Sequence, residues 1–170
     1  MSIFLRAYAP DDVAAFHAAT TESKRELIPW MPWCHDNFSL AETEAWIARQ
    51  SSPPPRNEFE FLIVDDSGRL LGACGINQVD RTNLRANIGY WVRSSAAGRG
   101  VATAALRQIV DWARDNTDLR RLEILIAVGN MASIRVAEKA GAVREGILRS
   151  RLLLLGRFHD AALFSIILER

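Results

Sequence analysis

Two glycines and an arginine stand between a strand-like and a helix-like segment, in Ala97-Gly98-Arg99-Gly100-Val101-Ala102-Thr103. Glycine lets the backbone approach a ligand because it has no Cβ atom, and the first N–H groups of a helix have no partner within that helix. Such N–H groups attract anions, phosphate among them. The heptapeptide therefore predicts a phosphate-binding loop, to which Arg99 adds a positive charge. A turn that needs glycine only for its dihedral angles is the alternative.

The spacing excludes two well-known phosphate loops. A P-loop requires Gly-Lys-Ser or Gly-Lys-Thr, which this sequence lacks, and a dinucleotide fingerprint requires a third glycine where Thr103 stands. What remains is Gly-x-Gly-x-Ala, from Gly98 to Ala102. This pattern resembles the pyrophosphate loop of the GNAT superfamily of N-acetyltransferases, except that Ala97 stands where the family usually has Gln or Arg.

Two later segments extend the resemblance over roughly the whole chain. The run from Asn130 to Ala142 is similar to the second cofactor motif of the superfamily, an Asn-x-x-Ser helix that ends at a glycine. Gly156-Arg157-Phe158-His159-Asp160, followed by an apolar run, resembles the last hairpin of acetyltransferases that modify ribosomal-protein N-termini. On these three motifs, in this order, the chain is identified as a member of the superfamily, closest to that branch.

The resemblance implies an α/β fold in a single domain, residues 1–170. We expect a mixed, mostly antiparallel sheet flanked by helices, with splayed strands at a cofactor cleft. The implied cofactor is acetyl-CoA, the acetyl donor, and no metal is expected. The residues that we assign to the cofactor on this basis are Tyr90, Trp91, Val92, Gly98, Arg99, Gly100, Val101, Ala102, Thr103, Asn130, Ser133 and Lys139.

Ser133 is the candidate acid for the departing thiolate. Many relatives have a tyrosine seven residues after the motif asparagine, where this chain has Ala137, whereas the ribosomal-protein branch has a serine at the place of Ser133. In the alternative interpretation, Asn130 caps the helix and Ser133 lies in its first turn. Glu123 is the candidate general base, because the apolar even positions of its strand could turn it toward the cleft; a surface or ion-paired glutamate is the alternative.

A cluster of aromatic residues between two helical segments is the candidate acceptor site. Trp30 and Trp33 lie in a segment that prolines prevent from continuing a helix, and His35 follows as another possible base. In the superfamily this region lies near the acceptor entrance, so the rings predict a lid or a stacking surface. Packing at a helix end explains the cluster equally well.

Composition narrows the function further. A net charge of +1 argues against a nucleic-acid binder, and no apolar run approaches the roughly 20 residues of a membrane helix. The polar N-terminus predicts a cytoplasmic protein, and Cys34 and Cys74 fit neither a disulfide framework nor a metal site.

Charge is unevenly distributed along the chain. Lys and Arg number 7 against 12 Asp and Glu through residue 84, and 14 against 8 from residue 85 onward. The half with the phosphate loop is basic, as a polyanionic cofactor favours, and the other half is acidic, as a cationic acceptor favours. Solvated surface charge without a ligand is the alternative.

Periodicity predicts the order strand, two helices, three strands, helix, strand, helix and two strands, with a proline-rich loop at 51–55.

The acceptor is expected to be an amine-bearing small molecule or a protein N-terminus, most readily an α-amine. A polyamine, an antibiotic amine and a non-catalytic CoA-binding role are the alternatives. A homodimer is also expected, from the exposed end strands of this branch.

Overall fold

The computed structural model describes residues 2–51 and 58–169. Its helices and strands follow the predicted order, and residues 52–55 of the predicted proline-rich loop lie outside the described residues. The elements are β1 Ile3–Arg6, α1 Val13–Leu27, α2 Leu40–Ser51, β2 Phe59–Asp65, β3 Leu70–Asp80, β4 Arg85–Val92, α3 Val101–Asn116, β5 Arg121–Ala127, α4 Met131–Ala140, β6 Val143–Leu154 and β7 Arg157–Ile167.

The strands form one sheet in the order β1-β2-β3-β4-β5-β7-β6. Every neighbouring pair is antiparallel except β4 and β5, which are parallel. These two strands pair only where Arg85–Asn87 meets Arg121–Glu123, although β4 continues to Val92 and β5 to Ala127. The mixed, mostly antiparallel sheet with splayed strands is therefore confirmed.

The helices cover the sheet from two sides. One buried cluster joins α3 and α4 to the face of β4 that carries Ile88 and Tyr90. The second joins α1 and α2 to the opposite face, which carries Trp91. This alternation follows from strand geometry, because successive side chains point to opposite faces. The face that each residue of β4 presents is thus fixed by its position along the strand.

The glycine loop lies between a 3₁₀ turn and the helix α3. The 3₁₀ turn at Ser94–Ala96 follows β4, and α3 starts at Val101. Gly98 and Gly100 have φ angles of 74° and 79°, in the left-handed region that glycine adopts readily. The two glycines therefore form the turn itself and do not belong to the helix.

Contacts from α1 fix the chain that leads into this loop. Glu22 forms an ion pair with Arg93, and its Oε1 atom accepts a hydrogen bond of 2.8 Å from the Ser95 N–H group. The hydroxyl of Ser23 accepts a further bond of 3.0 Å from the Ser94 N–H group. The Arg93 guanidinium and the Ser95 donors lower the pKa of Glu22 to about 2, so its carboxylate is charged at neutral pH. The first half of the chain thereby positions the loop of the second half.

Within residues 2–51 and 58–169, no helix is long and apolar enough to cross a membrane.

Candidate active site

A cleft with a volume of about 540 Å³ opens where β4 and β5 separate. This volume lies within the range of small-molecule sites, roughly 300–1,000 Å³. The structure brings all the predicted cofactor residues except Arg99 to its wall, namely Tyr90, Trp91, Val92, Gly98, Gly100, Val101, Ala102, Thr103, Asn130, Ser133 and Lys139.

The glycine loop and the start of α3 form one end of the cleft. The hydrogen-bond ladder of α3 begins with the Ala104 N–H group, which donates to the Gly100 carbonyl at 2.9 Å. The N–H groups of the three preceding residues thus lie ahead of the ladder, where an anion can accept their hydrogen bonds. A Cβ atom added at Gly100 would meet no atom within 4 Å, so open space faces this glycine. Arg99 is exposed and does not line the cleft.

Three basic side chains line the same cleft. Lys139 was predicted, whereas Arg25 and Arg135 were missed. Arg135 and Lys139 are four residues apart on α4 and so share a face of that helix. That spacing was a usable signal for Arg135. Arg25 carried no such signal, because α1 approaches the cleft only through the packing of the whole fold.

Tyr90 and Ser133 meet at the cleft wall, with their hydroxyl oxygens 2.8 Å apart. The Tyr90 hydroxyl also donates a bond of 3.2 Å to the Ser133 carbonyl. Burial raises the pKa of Tyr90 to about 12, against the opposing effect of the bond to Ser133, so the phenol keeps its proton at neutral pH. The sequence motifs assigned Tyr90 to the cofactor but indicated no role for its hydroxyl.

Asn130 caps α4, as the alternative interpretation of this segment has it. The Asn130 Oδ1 atom accepts a bond of 3.1 Å from the Ser133 N–H group and so caps α4. The Ser133 hydroxyl takes no part in that cap and points to Tyr90. The cap orients the first turn of the helix, and the hydroxyl remains available for chemistry.

Glu123 does not reach the cleft wall. Its carboxylate forms ion pairs with Arg85 at 3.1 Å and with Arg121 at 2.8 Å. It lies at the last position where β5 pairs with β4, opposite Asn87. The ion-paired alternative describes this residue, since two guanidinium groups already compensate its charge.

The aromatic segment divides into residues at the cleft and residues beside it. Trp30 lines the cleft, and its ring lies 3.4 Å from where a Cβ atom of Gly129 would stand. A residue of the first half thus touches the turn between β5 and α4. Trp33, which is 39% exposed, does not line the cleft but packs at 6.0 Å, between ring centres, against Trp91, which does.

His35 also lies outside the cleft wall. Its Nε2 atom is 2.9 Å from Glu42 Oε1, at the beginning of α2. Glu42 in turn completes a capping box with Ser39, because each accepts a hydrogen bond from the other's backbone N–H group. His35 is therefore engaged at a helix terminus.

Among the residues that the structure describes, no group of three or more His, Cys, Asp or Glu side chains could hold a metal ion.

Comparisons with known proteins agree with this geometry. The acetyltransferase (GNAT) domain family matches residues 2–143. The chain is 36% identical to "Putative ribosomal N-acetyltransferase YdaF" of Bacillus subtilis (strain 168), over 97% of this chain and 91% of that protein.

Two solved structures are similar over nearly their whole length. The microcin C7 self-immunity acetyltransferase MccE, in complex with acetyl-CoA and AMP, has a TM-score of 0.89 at 22% identity, covering 97% of this chain and 92% of that one. RimL, a ribosomal L7/L12 α-N-protein acetyltransferase in complex with coenzyme A, has a TM-score of 0.86 at 25% identity, covering 98% and 94%. The chain therefore belongs to the GNAT family of acetyltransferases.

Proposed function

We propose that this chain transfers the acetyl group of acetyl-CoA to the α-amine of a protein, a peptide or an aminoacyl-type small molecule. The observation that carries the proposal is the arrangement of the cleft. The start of α3, with N–H groups ahead of its hydrogen-bond ladder, lies at one end of it, and the paired hydroxyls of Tyr90 and Ser133 lie on its wall. One end thus suits the phosphates of the donor, and the wall suits the reacting thioester.

The donor would be held mainly by backbone N–H groups and by positive charge. The start of α3 offers its N–H groups to the pyrophosphate, and Arg25, Arg135 and Lys139 line the same cleft. Along β4, the N–H groups on the edge that β5 has left can hold the pantetheine arm and the thioester carbonyl. Backbone donors aimed at a developing oxyanion are each worth about 10²–10³ in rate.

Ser133 would protonate the departing thiolate, with Tyr90 supporting its hydroxyl. The two oxygens are at hydrogen-bond distance, so a proton that Ser133 donates can be replaced from Tyr90. General acid catalysis of this kind typically contributes 10²–10⁴ in rate.

An α-amine suits this site better than a lysine side chain. Its pKa of about 8 leaves part of it neutral at cellular pH, whereas the pKa of a lysine amine is about 10.4. The name of RimL, a ribosomal L7/L12 α-N-protein acetyltransferase, supports the same class of acceptor. The acidic first half of the chain would favour a cationic acceptor.

We also propose a cytoplasmic location, where free thiols such as those of Cys34 and Cys74 stay reduced. The expected homodimer stays a prediction. It would bury exposed apolar residues of β6 and β7, including Val143, Leu153 and Phe158.

The proposal is tested first by turnover with purified protein. N-terminal peptides, aminoacyl nucleotide analogues, polyamines and aminoglycosides should be compared as acceptors, together with acetyl-CoA hydrolysis as background. We expect peptides or aminoacyl compounds to give the highest kcat/KM. Binding of acetyl-CoA without turnover of any amine would instead support a non-catalytic CoA-binding role.

Gly100→Ala should weaken acetyl-CoA binding at least about tenfold, roughly 1.4 kcal/mol, because its methyl group would enter the space of the phosphates. Gly68→Ala is the matched control: Gly68 has a φ angle of 81°, a Cβ atom there meets no atom within 4 Å, and it does not line the cleft. Both variants should lose about 1 kcal/mol of stability from the left-handed backbone. Equal acetyl-CoA affinities of the two variants by calorimetry would remove the loop from the donor site.

Ser133→Ala should lower kcat at least about tenfold and leave acetyl-CoA affinity within a few-fold, because the hydroxyl acts in the transition state. The cap of α4 should survive, since Asn130 bonds the backbone N–H group of residue 133. Tyr90→Phe should lower kcat by a smaller factor. A parental kcat in Ser133→Ala would show that solvent protonates the thiolate.

Trp33→Ala should raise the acceptor KM and spare acetyl-CoA affinity, because Trp33 packs on Trp91 beside the cleft and is partly exposed. A stacking or cation–π contact with an amine is worth about 0.5–2 kcal/mol. Phe4→Ala is the control, since Phe4 is an exposed aromatic residue of β1. If the acceptor KM is the same in Trp33→Ala and in Phe4→Ala, Trp33 lies outside the acceptor site.

A further inference from the structure

We propose that Glu60 of β2 is the general base of this acetyltransferase, and that it takes a proton from the acceptor ammonium group beside the gap between β4 and β5. The inference rests on the proposed function and adds the residue that readies the amine for attack. Neither the sequence motifs nor the cleft wall pointed to Glu60.

The first argument is a row of glycines that joins Glu60 to the gap. Glu60 pairs with Gly75 of β3, and Gly75 pairs with Gly89 of β4. A Cβ atom added at Gly75 would stand only 2.0 Å from Glu60 Oε2, so the carboxylate lies directly over this glycine. Neighbouring strands are about 4.8 Å apart, which puts the carboxylate roughly that far from β4.

Gly89 lies where β4 has already left β5. The last pair between these strands joins Asn87 to Glu123, two residues before Gly89. Since Gly75 and Gly89 have no side chains, no side chain at these two positions stands between the carboxylate and the open edge of β4. A Cβ atom at Gly89 would have the Asn77 amide nitrogen as its nearest neighbour, at 3.5 Å.

The second argument is the side of the sheet on which Glu60 lies. Gly89 and Trp91 present the same face of β4, and Trp91 packs with α1. Tyr90 presents the opposite face, toward Ser133 of α4. Base and acid therefore approach the gap from opposite sides, so that the amine can enter on one side while the thiolate is protonated on the other.

The third argument is a set of buried polar atoms near Glu60. The Asn87 Oδ1 atom is buried and has no hydrogen-bond partner in the described part of the chain. Tyr8 is only 7% exposed; burial raises the pKa of its hydroxyl, hydrogen bonding with Trp46 opposes that rise, and the carboxylate of Glu60 adds to it. Buried polar atoms are normally satisfied, so the Asn87 oxygen points to a polar ligand or to water.

The electrostatics of Glu60 suit a base that works at neutral pH. Burial, with the charge of Glu58, raises the pKa of Glu60 to about 7, and Arg49 and Asn77 oppose the rise. Tyr8 and Cys74 also interact electrostatically with Glu60. A base is most effective when its pKa is near the working pH.

The proton balance closes without a further reactant. Glu60 takes one proton from the ammonium group, directly or through one water molecule, and passes it to solvent. The neutral amine nitrogen forms a bond to the thioester carbon, and the C–S bond breaks. The thiolate receives a proton from the Ser133 hydroxyl, and the second proton lost by nitrogen restores that hydroxyl through solvent. The products are the acetamide, CoA with a free thiol and one proton.

The test is the pH dependence of kcat/KM in Glu60→Gln, with Glu44→Gln as the control. Glu44 is an exposed residue of α2 that does not line the cleft, and its removal should leave the rate at pH 8 within a few-fold. In the parent, ionised Glu60 can deprotonate the bound ammonium group, so kcat/KM should rise as pH passes about 7 and level off where the free amine is itself neutral. Glu60→Gln should lose at least about tenfold at pH 7. Its rate should then rise steadily to above pH 9, where the amine is already neutral.

Thermal unfolding shows whether the loss reflects the fold. The folded-state pKa of Glu60 is raised, so its stabilising contribution is complete below about pH 4.5 and is lost as pH rises through about 7. Glu60→Gln lacks this loss, so its Tm relative to the parent should increase between pH 5 and pH 8. A variant that is equally or more stable yet slower has lost chemistry and kept its fold.

The outcomes separate this inference from the proposed function. If the parent prefers a polyamine or an aminoglycoside, the proposed acceptor is wrong, and Glu60 is tested in the same way on that amine. Parental kcat/KM and an unchanged pH profile in Glu60→Gln would overturn the inference alone. Loss in Glu123→Gln with Glu60→Gln unaffected would also overturn it, as would a parent that acetylates no amine.

Discussion

The separation of β4 from β5 is the constraint on which the rest of the site depends. The two strands pair over three positions and then continue without pairing. Backbone N–H and C=O groups need partners, and the edge of β4 beyond Asn87 offers its groups to a ligand instead of to a strand. Because the strands are parallel, the helices that follow them, α3 and α4, both begin at the open end. The gap, the start of α3 and the cap at Asn130 therefore meet in one place.

Residues of the first half of the chain contact the segments on both sides of the gap. Glu22 holds Arg93 and Ser95 just before the glycine loop. Trp30 reaches the turn at Gly129, on the far side of the gap. These contacts connect the acidic half of the sequence with the basic half that carries the glycine loop. Displacement of α1 would thus alter the glycine loop as well as the turn at Gly129.

The sequence predicted the features that are local in the chain. Gly98 and Gly100 indicate a left-handed turn, and the four residues from Asn130 to Ser133 suffice to define a helix cap. The order of strands and helices followed from periodicity in the same way. The contact between Tyr90 and Ser133 joins residues 43 positions apart, so only the packing of α4 on β4 creates it.

Glu60 and Glu123 both show that the sequence alone does not reveal contacts between residues on different strands. Nothing near Glu60 in the sequence marks it, because its setting is made by Gly75 and Gly89 on two other strands. Glu123 was predicted from strand alternation, but the alternation does not reveal that Arg85 and Arg121 hold its carboxylate. Trp33 and His35 are close in sequence to Trp30, which lines the cleft. Their neighbours in space are Phe38 and Trp91 for Trp33, and Glu42 for His35.

The most direct test of the account is amide hydrogen exchange with and without saturating acetyl-CoA. If the open edge of β4 and the start of α3 bind the donor, exchange should slow at residues 90–92 and 101–103. Amides of Arg85–Asn87, where β4 is paired on both sides, should not change. Protection confined to other segments, with residues 90–92 and 101–103 exchanging as in the free protein, would contradict the assignment of the gap as the acetyl-CoA site.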